Sequence, residues 1–373
     1  MEEFTFESGP ARVVFGRGTV RTAPGEELAR LGAGRVIVVA DAGHRPLAEL
    51  AMGPFTEAVV AWFDEVEPHV PAPAAARAVD SARFHRADGV LAVGGGSAIG
   101  IAKIVARDLR LPIVAVPTTY SGSEATPLWV LTHEGRKETG IDHAVRPRAV
   151  VLDPDVTDRM PRELAITSGL VAIAHVVEAY WSPGANPISA ALADEAMRAL
   201  AAGMRGIGPR GLAVAQQPEQ VFTDPVGAWA GTPTTAGEDL LYGAHLAGMT
   251  FAATSTGLHH TICHVLGGVF QLPSAALHAV VLPHVLALNA PAVPRTADRI
   301  ARALQADEAV SGLRGLAASV AAPRTLAQIG LPLRRLDEAV DRVTAELPVA
   351  NPRPVGKPEV RSVLTAAYGE DAA

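Results

Sequence analysis

Hydrophobic positions change their period partway along the chain. Up to about residue 150 the apolar residues come in short runs, at 35–40, 58–63, 89–93 and 112–117. Runs this short and this continuously apolar predict strands buried on both faces. Between them, residues 73–84 are Ala-rich and helix-compatible, as are 98–107. Strands separated by helical segments predict βαβ units and a parallel, doubly wound sheet, which binds ligands beyond the carboxyl ends of its strands. After about residue 160 the strand runs almost vanish. From Pro161 onward, Ile166, Leu170, Ile173, Ala174 and Val177 fall on one helical face. Further helices are predicted over 187–203, 236–256, 258–271, 275–288 and 295–305, with an undetermined connection over 203–231.

The expected fold class is α/β plus all-α. A doubly wound, parallel-sheet dinucleotide-binding domain spans 1–160, an all-helical substrate and catalytic domain spans 161–373, and the active site lies in the cleft. Composition agrees: 49% hydrophobic and 19% charged residues permit a large core. A net charge of −7 without a Lys/Arg block longer than two argues against nucleic acid as a partner. Cys263 is the only cysteine, which excludes an intramolecular disulfide and a CxxC zinc site. The acidic start does not read as a secretory leader, and no stretch approaches the roughly 18 apolar residues of a membrane span. The expectation is a cytoplasmic protein without a membrane partner, acting on a small molecule.

Three loops and one histidine cluster carry candidate chemistry. Gly94-Gly95-Gly96-Ser97 lies between a predicted strand and a predicted helix. Its glycines admit close approach of a phosphate, and the helix start offers free N–H groups. The spacing is not GxGxxG, and an ordinary βα turn is the competing reading. Asp41 ends an early strand, where a carboxylate binds an adenosine ribose or caps a helix. Residues 117–124, with Thr118, Thr119 and Ser123, suit phosphate or ribose binding, or a turn. Six of the 12 histidines fall between 245 and 284: His245, His259, His260, His264, His278 and His284. With His175 on an earlier helix, they suit a divalent metal or proton relay near neutral pH.

On these motifs the chain resembles the maleylacetate reductase branch of the iron-containing alcohol dehydrogenase superfamily, whose fold is shared with dehydroquinate synthase. The resemblance covers nearly the whole length: Val14-Phe15-Gly16, GGGS at 94–97 with Ala102-Lys103, 117–127 with Trp129, 257–268, 279–284 and 351–355. The segment HHxxCHVLGG from His259, the NPRPV tail, and Gly100 where alcohol dehydrogenases carry Asp point to the branch. The resemblance implies NADH, with NADPH as the alternative, lying across the cleft. Gly95, Gly96 and Ser97 would hold the pyrophosphate, Thr118 and Thr119 line the site, and Lys137 stand near the nicotinamide ribose. Asp41 would favour NADH. His264, His260 and His175 are the expected catalytic residues, and Arg353, Ser123 and His278 the expected substrate contacts. The resemblance also implies a homodimer.

Metal-dependent superfamily members place Asp and three His at the positions of Val171, His175, His260 and Ser274, so two ligands are missing and no metal is expected. The expected reaction is reduction of the C=C bond of a 2-oxo-enoate dicarboxylate, maleylacetate to 3-oxoadipate. The changed 274–277 segment, Ser-Ala-Ala-Leu, keeps open a relative that performs a different or non-redox step. A lyase like dehydroquinate synthase would need the broken metal set.

Overall fold

The computed structural model describes residues 4, 6, 12–133, 136–207, 235–254 and 256–369. Most of the connection over 203–231 lies outside them. The strands are β1 (Arg12–Phe15), β2 (Val36–Val39), β3 (Val59–Phe63), β4 (Gly89–Gly94), β5 (Ile113–Pro117), β6 (Leu128–His133), β7 (Arg136–Ile141) and β8 (Ala149–Leu152). One parallel sheet runs in the order β1-β8-β5-β4-β2-β3, and β6 and β7 form a separate antiparallel hairpin. The first helices are α1 (Ala23–Arg30), α2 (Arg45–Met52), α3 (Ala72–Phe84), α4 (Gly96–Leu109) and the single turn α5 (Pro154–Thr157). Thereafter, among the described residues, come only helices: α6 (Arg162–Trp181), α7 (Pro187–Gly206), α8 (Thr235–Ala252), α9 (Leu258–Phe270), α10 (Ser274–Asn289), α11 (Pro294–Ala303), α12 (Ala309–Ser319), α13 (Leu336–Thr344) and α14 (Lys357–Tyr368).

The period of two in a strand explains the double winding. Val36 and Val38 face Leu47, Ala48, Ala51 and Met52 of α2, whereas Ile37 and Val39 join the core formed with α3 and α4. Neighbouring strands β2 and β4 therefore send their following helices to opposite faces. That opens a crevice above their carboxyl ends, where Asp41 and the Gly-rich turn emerge. Beyond the sheet, α6, α7, α8 and α10–α12 share one core, and α9, α10, α13 and α14 another. Helix α6, and α10 taken with the 3₁₀ turn that continues it to Ala292, are apolar and long enough to cross a bilayer, but most of each is buried inside the protein.

Two glycines have steric reasons. Gly94 stands at φ +150°, and a Cβ there would lie 2.7 Å from the Ala98 Cβ, so the strand-to-helix turn needs glycine. A Cβ on Gly100 would lie 2.6 Å from the Val70 Cγ2. Val70 and His69 both hold positive φ, at 55° and 66°. The loop is tied to β6, since Thr132 donates its amide to the Val70 carbonyl and its hydroxyl to the His69 carbonyl. Gly100 thus leaves room for an unusual loop at the cleft.

Candidate active site

On the sheet side, the structure brings the sequence candidates to one crevice. Asp41 caps the 3₁₀ turn after β2: its carboxylate accepts the His44 amide at 3.1 Å and the His44 Nδ1–H at 2.7 Å. The hydrogen bond from His44 holds its carboxyl below the usual range, against the opposing effect of burial. Gly95 caps α4, whose first residues are Gly96 and Ser97. A Cβ on Gly95 would approach the Thr119 Cγ2 to 3.0 Å, so β5 and its Thr118-Thr119 turn wall a cradle shaped by absent side chains. From there the loop runs to α8. Ser123 opens a 3₁₀ turn and accepts bonds from Thr126.

The helical side gathers imidazoles around a buried carboxylate. Glu178 on α6 accepts the backbone amides of Gly257 at 3.0 Å and His259 at 2.7 Å, and the His260 Nδ1–H at 2.5 Å. It therefore serves the start of α9 as a capping acid, where unpaired N–H groups and the helix dipole favour negative charge. Its carboxyl is pushed up by burial, but the nearby His260 and these bonds outweigh that and bring it below the ordinary value. His175, one turn before Glu178, stacks on His260 with ring centres 5.1 Å apart and on Phe251 at 4.4 Å. His260 and His264, one turn apart on α9, stand 6.2 Å apart. His259 and His278 share a proton across 2.9 Å. His245 does not join the group, since it pairs with the buried Glu124 at 3.2 Å.

The expectation of histidines titrating near neutral pH is corrected by their burial. Desolvation first, then neighbouring charges, pushes His259 and His264 down to about 3, and His175 and His278 well below the ordinary imidazole value. These rings are neutral at pH 7. They act as hydrogen-bond donors and acceptors rather than as cations. A stability consequence follows from linkage. Below about pH 6.5 each ring binds a proton in the unfolded chain but not in the folded one. Stability therefore falls with falling pH, by up to roughly 1.4 kcal/mol per pH unit for each such ring. Chelator-treated protein should lose melting temperature steadily from pH 6.5 to 5, before ordinary carboxylates protonate. A melting temperature flat over that window would refute neutral buried rings.

Lys137 on β7 brings a cation to this cluster. Burial lowers its ammonium below the ordinary value, and it lies close enough to His264 and His69 to depress both. Arg353 stands on an exposed loop before α14, its carbonyl held by Asn351, and no described contact joins it to the histidines. Glu178, Cys263 and His69 were not singled out from sequence. His69 lies on the loop after β3, at the same end of the sheet as the candidate loops after β2 and β5.

The superfamily's metal positions do not fit here. Val171 offers no donor, Ser274 only a hydroxyl, and the His260 Nδ1 is committed to Glu178. What remains is the His175 Nδ1 and the His260 Nε2, both buried and unpartnered. Two nitrogens fall short of the three or four ligands a held ion takes.

Comparison with known proteins gives consistent matches. Residues 10–154 match the family described as iron-containing alcohol dehydrogenase, and residues 228–368 its C-terminal family. A maleylacetate reductase from Sphingobium indicum is 38% identical, covering 98% of this chain and 97% of that protein. Another, from a Pseudomonas species, is 40% identical, covering 96% and 95%. The crystal structure of maleylacetate reductase from Agrobacterium tumefaciens superposes with a TM-score of 0.87 at 33% identity, covering 100% of this chain and 99% of that one.

Proposed function

Because the chain belongs to the maleylacetate reductase branch of the iron-containing alcohol dehydrogenase family, and is therefore an oxidoreductase, we propose that it reduces the C=C bond of maleylacetate with NADH, without a catalytic metal. The observation that carries this reading is the meeting of Lys137 with the buried, neutral ring of His264, beside which His260 stands one helical turn away. When bound, NADH supplies a hydride to the alkene carbon β to the ketone. Gly95, Gly96, Ser97 and the N-terminus of α4 would hold its pyrophosphate, with Thr118 and Thr119 beside it and Asp41 on the adenosine ribose. The Lys137 ammonium and the His264 N–H would hold the ketone oxygen as negative charge develops there. Burial lowers the Lys137 pKa, which eases release of the proton that His264 relays to the α carbon.

Lys137 also meets the need of a dianionic substrate for a cation, with Ser123 and His278 as further contacts and Arg353 recruited only if its loop closes. The assembly we infer is a cytoplasmic homodimer; β1 is an edge strand with exposed Val13 and Phe15, an invitation to strand-edge association.

The direct test is NADH oxidation with maleylacetate by exhaustively chelated protein. Turnover is expected. NADH that stays unoxidised would favour the non-redox relative, and activity restored only by iron or zinc would show the metal positions to be misread. Cofactor choice has its own test. NADH should bind more tightly than NADPH, and Asp41→Ala should shift the ratio toward NADPH by roughly tenfold. Equal dissociation constants in the parent protein would remove Asp41 from this role.

A further inference from the structure

Behind His260 lies a cluster of which the reductase reading uses only His278, as a substrate contact. His259 and Cys263 stand one turn apart on α9, and His278 faces them from α10. The His259 Nε2 is 2.9 Å from the His278 Nδ1 and 3.7 Å from the Cys263 Sγ, and all three residues are buried. These are two neutral imidazoles and one thiol converging on a single point. None of the three occupies a position where metal-dependent relatives hold their ion.

We propose that His259, Cys263 and His278 form a binding site for a thiophilic divalent ion of the zinc class, distinct from the superfamily's iron position. Tetrahedral zinc with ordinary bond lengths sets its nitrogen ligands about 3.3 Å apart and sulfur about 3.6 Å from nitrogen. The distance from the His259 nitrogen to the sulfur already matches, and all three donor atoms lie within 4.8 Å of one another. The imidazoles need to part by a few tenths of an ångström, giving up their mutual hydrogen bond for two metal bonds. A thiolate with two imidazoles selects zinc or cobalt over magnesium or calcium. Binding replaces the thiol proton: the Cys263 S–H bond breaks, a sulfur–metal bond forms, and one proton leaves to solvent without any redox change. The ion with one thiolate carries a net charge of +1, which the carboxylate of Glu178 offsets through its bond to the His259 amide. The fourth position stays open for water.

Cobalt(II) is the probe, because a thiolate ligand gives it a charge-transfer band in the near ultraviolet. Titration of chelated full-length protein should develop this band to one equivalent and raise the melting temperature. Cys263→Ala, of similar volume, should abolish the band, and His278→Asn should weaken cobalt binding by roughly 100-fold. His175→Asn should leave both intact. Overturning results are absence of the band at millimolar cobalt, a band that survives Cys263→Ala, or one lost in His175→Asn. Since none of these readouts involves NADH or substrate, the site stands or falls apart from the reductase reading.

Discussion

His264→Ala should lower kcat by about 10²- to 10⁴-fold while changing NADH affinity far less. The ring lies beside Lys137 on α9, and no described contact joins it to the crevice above the carboxyl ends of β2 and β4. Its loss removes a donor to the developing enolate and breaks the proton path from Lys137. The pH dependence carries the mechanism. With its pKa pushed down to about 3 by burial, His264 is neutral throughout pH 5–8, so the loss should be the same across that range. A loss that varies tenfold with pH would mean the ring titrates in the working enzyme. Turnover unchanged in a folded variant would return His264 to a packing role. His264→Asn, which keeps an N–H donor, should recover part of the activity.

Glu178→Ala should cost about 3–5 kcal/mol, a large fraction of the 5–15 kcal/mol that holds a typical protein folded. The carboxylate is 1% exposed, and its removal strands the His260 Nδ1–H and the amides of Gly257 and His259 without partners. Burial works against the charge and the convergent donors favour it, with a net downward shift of the carboxyl pKa. The stabilisation is therefore present above the unfolded value of about 4.3 and lost as pH falls through the lower folded value. Urea midpoints for Glu178→Ala and Glu178→Gln check this, with Gln intermediate because its amide oxygen still accepts. A Glu178→Ala protein within 1 kcal/mol of the parent would deny the carboxylate its organising role.

What could be read from sequence divides along physical lines. The strands at 36–39, 59–63, 89–94 and 113–117 were legible because burial on both faces demands unbroken apolar runs. The edge strand β1 and the polar strand β7 lack that signature, whereas β6 and β8 carry apolar runs that were not assigned to strands from sequence. The glycine turn and the histidine concentration were local patterns. Glu178 carries no local signal, since its partners lie 79–82 residues away in sequence. Protonation was misjudged because ordinary imidazole values describe water, and these rings are buried.

The Gly100–Val70 contact constrains the order in which substitutions can accumulate. Gly100→Asp would meet a β-branched side chain at 2.6 Å, on a loop already held at two positive φ angles. An aspartate at this position therefore requires the Val70 side chain to move first. Val70 is preceded along the chain by His69, whose imidazole feels the Lys137 charge, so a shift of this loop is expected to reach that pair. Residues 100 and 70 are therefore expected to change together rather than singly.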